Sequence, residues 1–135
     1  MELSNRIKYA KERYGRYGID FMQGDVCSCL DEIEDESIDF VFCNLFPGHY
    51  DSGELRNSPY MNTFMKKILL KMTKNGIFYY GFHTSSSGSD HPTCREDVVD
   101  YLNNNGICNF NLEETIHSGE KYPWIIFTFC KAENI

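Results

Sequence analysis

Apolar and polar positions alternate along this chain with two periods, and the switches between them mark its elements. Leu3, Ile7, Ala10 and Tyr14 recur at helical spacing, predicting a helix capped by Ser4 and stopped by Gly15 or Gly18. Ile19-Asp20-Phe21-Met22 alternates like a strand and ends at Gly24-Asp25. Residues 26–33 predict a short helical turn with Leu30 and Ile33 inward. IDFVFC (38–43) reads as a buried strand, followed by a long loop, NLFPGHYDSGELRNS (44–58). Ser58 then caps a helix and Pro59 takes its first position, where a missing N–H costs nothing. Met61, Phe64, Met65, Ile68, Leu69 and Met72 give that helix one apolar face, and Asn75-Gly76 is expected to end it.

GIFYYGF (76–82) predicts another strand and HTSSSGSDHP a loop. Thr93 and Glu96 form a capping box that opens a helix ending at Asn105-Gly106. Residues 107–116 and 124–130 (WIIFTFC) read as the last two strands, with a turn near Gly119. Helices alternating with strands argue for a mostly parallel α/β sheet. The last two strands are too close in sequence for a crossover, so they are expected to pair antiparallel.

Composition narrows the class. A chain of 135 residues, 41% hydrophobic and 15% aromatic, fits one cored domain over 1–135. No apolar run approaches the roughly 18 residues of a membrane span, and the N-terminus lacks a signal-peptide core. The net charge of −7 disfavours nucleic acid as a partner and leaves a small molecule or a protein as the expected substrate. The charge is uneven: residues 1–18 carry five bases against Glu2 and Glu12, and residues 19–39 carry eight acids and no base. The 6 cysteines form no C-x-x-C pair, so free thiols and a reducing, cytoplasmic setting are expected. The spacing of His83, His91 and Cys94 matches no common zinc site, so no metal is expected. Cys94 and His91 also offer a nucleophile–base reading, set against an inert thiol. The aromatics Phe78, Tyr79, Tyr80 and Phe82 suit either a flat ligand or a buried central strand.

In this order of elements the chain resembles the class I S-adenosylmethionine-dependent methyltransferase domain. That domain has a Rossmann-like sheet of strand order 3-2-1-4-5-7-6, closed by a hairpin. ELSNRIKYAKERYGRYGIDFMQGDV resembles the run from the end of its second strand to its third. IDFVFC resembles the fourth strand, GIFYYGF the fifth, and residues 94–131 the closing helix and hairpin. The resemblance implies an N-terminally truncated methyltransferase sheet with a C-terminal antiparallel hairpin, and S-adenosylmethionine as cofactor. It places Glu2 where an acid accepts from ribose hydroxyls, and Asp25 and Val26 in the turn that meets adenine. An unliganded terminal glutamate and an ordinary Gly-Asp turn are the plain alternatives. Asn44 opens the loop that in such domains orients the acceptor. The loop's own polar residues His49, Tyr50 and Asp51 join it as candidates, against a surface loop without chemistry. Leu45 and Phe46 depart from the Asn/Asp-Pro-Pro-aromatic pattern of amino-methylating members, so no amino acceptor is implied.

The family's first strand and Gly-rich turn would precede residue 1, and no G-x-G occurs in the 135 residues. Removing strands one and two leaves a gap of about 14 Å between 19–23 and 38–43, at roughly 4.8 Å per strand. Direct pairing of those two strands is the expected remedy. A homodimer or a partner chain at the open edge is the other. Two functions follow: a shortened methyltransferase acting on an unidentified acceptor, or a non-catalytic module working through protein–protein contact.

Overall fold

A computed structural model describes residues 3–44, 55–83, 95–115, 119 and 124–134. The chain divides into two compact units, residues 1–33 and 34–135.

In the first unit, α1 (Leu3–Tyr14) begins one residue before Ser4, so Ser4 lies inside the helix rather than capping it. A single 3-10 turn, Gly15–Tyr17, extends it, and Gly18 closes it at φ +78. Arg13 lies over the rings of Tyr9 and Tyr14, 5.9 and 5.6 Å from their centroids, and Arg16 lies 4.9 Å over Tyr17. These cation–π contacts keep basic and aromatic side chains together on an exposed helix. The strand expected at 19–23 does not form. Alternation alone makes no strand: a ladder needs a partner, and without one the amides stay with water. Ile19 and Met22 are accordingly exposed. Asp25 then caps α2 (Val26–Leu30), its Oδ2 accepting from the Ser28 N–H at 3.1 Å.

The second unit holds a four-stranded sheet in the order β1-β2-β4-β3. β1 is Ile38–Asn44, β2 Met72–His83, β3 Asn111–Thr115 and β4 Trp124–Cys130. β1 and β2 run parallel, whereas β4 is antiparallel to both β2 and β3. This is the 4-5-7-6 half of the order that the resemblance implies, with the expected closing hairpin. β3 is shorter than the 107–116 expected, because Asn134 Oδ1 takes the Cys108 and Asn109 amides at 2.9 and 2.7 Å.

α3 (Pro59–Lys71) starts as its sequence predicts. Ser58 accepts from the Met61 N–H at 3.1 Å, and Pro59 follows in the first turn. Its buried face is Met61, Phe64, Met65 and Ile68. The helix stops earlier than the expected Asn75-Gly76. Met72 already belongs to β2, and the last carbonyls are taken from outside: Glu36 and Ser37 donate to Leu70 and Lys71 at 3.0 and 2.8 Å. The β1–β2 register slips between Ile38 and Phe40, so that residues 73–76 bulge. Gly76 sits in that bulge. A Cβ there would lie 3.0 Å from the Thr73 carbonyl and 3.1 Å from that of Ile38. Backbone cannot yield as a flexible side chain does. Gly76→Ala is therefore expected to lower stability by about 1–3 kcal/mol in urea denaturation, the usual cost of overpacking.

α4 (Arg95–Asn104) lies against α3 and ends at Gly106, whose φ of +80 suits glycine. The buried Tyr101 hydroxyl donates to the Met61 carbonyl at 2.7 Å and ties the two helices. The core forms where α3 meets the sheet face bearing Phe78, Tyr80, Phe127 and Phe129, and Phe64 packs on Phe78 at 6.3 Å.

The other sheet face corrects the expectation that IDFVFC is a buried strand. Phe40, Phe42 and Ile77 are 56%, 62% and 46% exposed. Among the described residues β1 pairs with β2 alone, so its second edge is open and the expected pairing with 19–23 is not formed.

Candidate functional site

In α/β sheets, ligands bind beyond the carboxyl ends of parallel strands, where loops leave the sheet. In this sheet those ends are Asn44 on β1 and His83 on β2. Asn44 is opposite Gly81 in the register, and Phe42 is opposite Tyr79. Phe42 and Tyr79 stack with centroids 4.8 Å apart and planes 7° from parallel. The absent side chain of Gly81 leaves room beside Asn44: a Cβ there would be 3.5 Å from Asn44 Oδ1. An aromatic pair and an exposed amide therefore stand together at the strand ends. The amide supplies both donors and an acceptor, and the rings supply a flat apolar surface.

Of the residues expected to act at this site, Asn44 is at the strand end. His49, Tyr50 and Asp51, like Glu2, His91 and Cys94, lie outside the described residues. Asp25 and Val26 belong to the first unit, where Asp25 is engaged in capping α2 and Val26 is that helix's first residue. An Asp25→Ala test of cofactor contact is thus compounded with the loss of a cap, about 1 kcal/mol by itself. Of the aromatic run, Phe78 and Tyr80 are buried in the core and only Tyr79, among those described, turns to the exposed aromatic pair. The five described cysteines (27, 29, 43, 108 and 130) are free thiols. Among the described residues no group of three or more His, Cys, Asp or Glu is placed to hold a metal.

Two features of the site are not legible in the sequence. One is the Phe42–Tyr79 stack, which needs the register to be known. The other is Asp97, a buried carboxylate that accepts from the amides of Leu55 at 2.7 Å and Arg56 at 2.8 Å. It fixes the far end of the loop that leaves β1. An acid in the first turn of a helix reads as a dipole partner, so its reach to a distant segment is invisible in sequence.

Cys43 adjoins the site as the residue before Asn44 in β1. Burial raises its thiol from 9.0 to about 11. The folded chain holds this proton more tightly than the unfolded chain. The contribution to stability is therefore intact below pH 9 and is lost as pH rises through 9 to 11. Denaturation curves across that window are expected to show a fall of at most about 1.4 kcal/mol per pH unit that Cys43→Ala abolishes. An equal fall in the variant would assign it to other groups.

A depression of about 490 Å³ at the opposite end of the sheet is lined by Ile77, Asn109, Thr128, Cys130 and Glu133, among others. Two of its lining residues, Asn109 and Cys130, accept from the Asn134 side-chain amide through their carbonyls at 2.9 and 3.0 Å, a structural use of those groups.

Comparison with solved structures identifies the fold. The CurJ carbon methyltransferase superposes with a TM-score of 0.65 at 12% identity, over 93% of this chain and 39% of that one. An S-adenosylmethionine-dependent methyltransferase from Thermotoga maritima gives 0.60 at 13% identity, over 92% of this chain and 70% of that one. The [4+2]-cyclase SpnF gives 0.53 at 18% identity, over 79% of this chain and 38% of that one. The chain has the class I methyltransferase fold, and it spans well under half the length of CurJ and SpnF. SpnF shows that one fold carries more than one chemistry. No family model and no curated protein sequence matches the chain. No helix of the described residues is long and apolar enough to cross a membrane.

Proposed function

We propose that this chain is a shortened S-adenosylmethionine-dependent methyltransferase unit that needs a further polypeptide segment at the open edge of β1 to hold its cofactor. The observation that carries this reading is the sheet itself: a 4-5-7-6 order whose first strand ends in a free edge beside an exposed aromatic pair. Taken alone, the described residues do not fit the whole cofactor. The sequence has no G-x-G turn to meet the methionine end. These residues by themselves therefore support no step of a methyl transfer. On this reading Asn44, with His49 and Tyr50 from the loop that follows it, holds the methyl acceptor, a small molecule or a protein.

Calorimetric titration of the chain with S-adenosylmethionine tests the requirement for completion. No heat of micromolar binding is expected, and micromolar or tighter binding would refute it. A non-catalytic module acting through the same edge is the second reading, favoured by the same missing turn.

A further inference from the structure

The first unit arranges charge and aromatic side chains in a pattern that its own packing does not use. Residues 3–17 hold five bases, Arg6, Lys8, Lys11, Arg13 and Arg16, with Glu12 as their only acid, in a chain of net charge −7. On the helix these bases separate by type. Arg6, Tyr9, Arg13 and Arg16 recur at three- and four-residue spacing and so share one face, with Tyr17 beside it. Lys8 and Lys11 lie off that face, and so do the half-buried Ile7 and Ala10. The three arginines are exposed, and Tyr9 and Tyr17 are 49% and 63% exposed. Among the described residues of this unit no carboxylate pairs with Arg6, Arg13 or Arg16. Instead Arg13 donates to the Tyr9 hydroxyl at 2.6 Å and Arg16 to the Tyr17 hydroxyl at 2.7 Å. Those bonds and the cation–π contacts hold two guanidinium forks in place and leave further N–H donors on each.

The chemistry of this stripe selects its occupant. Guanidinium forks match carboxylates two bonds at a time, and arginine with tyrosine is the composition that anchors protein interfaces. A long nucleic-acid strand fits less well. Asp20, Asp25, Asp31 and Glu32 follow in the same unit, and one face of each of the three rings is taken by an arginine rather than open to a base. An anionic membrane also fits less well, because the stripe has no large aliphatic side chain to insert. A second copy would bring acids of its own, but with a net −7 to meet −7. We infer that the Arg6–Tyr17 face of α1 is a docking surface for an acidic segment of a partner protein, with carboxylates spaced to meet Arg6, Arg13 and Arg16. Along the helix these arginines lie roughly 10 Å and 5 Å apart. The inference uses neither the sheet nor its strand ends and does not rest on methyl transfer.

The probe is a helical peptide of about fourteen residues whose glutamates recur at the seven- and three-residue spacing of the arginines, made in both orders. Its controls carry glutamine or lysine in place of glutamate. Fluorescence anisotropy with the whole chain is expected to show one glutamate peptide binding at least tenfold more tightly than its glutamine twin, with the difference shrinking as salt is raised. The lysine peptide is expected not to bind. Arg13→Gln combined with Arg16→Gln is expected to weaken the glutamate peptide about fivefold or more. Lys8→Gln combined with Lys11→Gln removes as much charge away from the stripe and is expected to weaken it less than about twofold. Glutamine has nearly the helix propensity of arginine and lysine, and circular dichroism checks that α1 is retained.

Glutamate and glutamine peptides that bind alike, or not at all, would overturn the inference. So would equal losses in the two double variants, which would reduce the stripe to net charge. Tighter binding of a single-stranded oligothymidylate, or of phosphatidylserine vesicles, at the same salt would overturn it by giving the face to nucleic acid or to a membrane. Self-association in light scattering that Arg13→Gln with Arg16→Gln abolishes would make a second copy the occupant instead. Titration with S-adenosylhomocysteine reads the strand ends separately, so the peptide result and the methyltransferase reading fail independently.

Discussion

Phe78→Ala is expected to lower stability by about 3–5 kcal/mol, the cost of truncating a fully buried phenylalanine and leaving its cavity. Phe78 is 0% exposed at the centre of β2. Its ring is 5.1 Å from Phe129, 5.9 Å from Phe127 and 6.3 Å from both Phe64 and Tyr80. It therefore joins β4 and its own strand to α3, and no neighbour can fill the space without leaving another gap. Against a whole-domain stability of roughly 5–15 kcal/mol, a loss of this size populates the unfolded state visibly. Urea denaturation followed by circular dichroism measures it. Ile77→Ala on the same strand, at a side chain 46% exposed, is expected to cost far less. Equal losses at 77 and 78 would mean that the sheet face assigned to the core is wrong.

Asp97→Ala is expected to cost about 3–5 kcal/mol, for a different reason. The Asp97 side chain is 3% exposed, and its two oxygens serve the amides of Leu55 and Arg56. Removing the carboxylate leaves both donors unpaired, at about 1–3 kcal/mol each. Arg56 loses an acidic neighbour but keeps Asp100 at 3.1 Å. Asp97→Asn retains one acceptor oxygen and turns an amino group toward the other donor, so about half the loss is expected. The ranking Ala, then Asn, then the unchanged chain is the result to look for in thermal denaturation. Were asparagine to match the parent, the carboxylate charge and its second acceptor would have no structural use.

The elements legible in the sequence are those specified locally. Ser58 and Pro59 mark the start of α3 because capping acts within one turn, and Asn105-Gly106 marks the end of α4 for the same reason. The run WIIFTFC is readable because few solvent positions interrupt it. What stays hidden is set by distant partners. Residues 19–23 have the alternation of a strand and no ladder to join. IDFVFC reads as a buried strand, yet Phe40 and Phe42 are exposed because β1 lies at an edge. α3 ends before Asn75-Gly76 because β2 begins at Met72 and bulges, which depends on the Ile38 carbonyl approaching Gly76. At the site, Asn44 is legible from its place after a strand. The Phe42–Tyr79 stack and the reach of Asp97 need the register and the packing of two segments far apart in sequence.

The proposed reading, a methyltransferase-fold unit whose strand ends meet the cofactor but do not hold it unaided, is tested most directly by NMR. The measurement is a two-dimensional titration of the isotope-labelled chain with S-adenosylhomocysteine. Shifts concentrated at the amides of Asn44 and Gly81 are predicted, with a dissociation constant of about 1 mM or weaker, worth some 4 kcal/mol or less. Saturation at micromolar ligand would show that the unit is complete as it stands. No shift at these amides at ten times that concentration would remove the strand ends as the site and, with them, the methyltransferase reading.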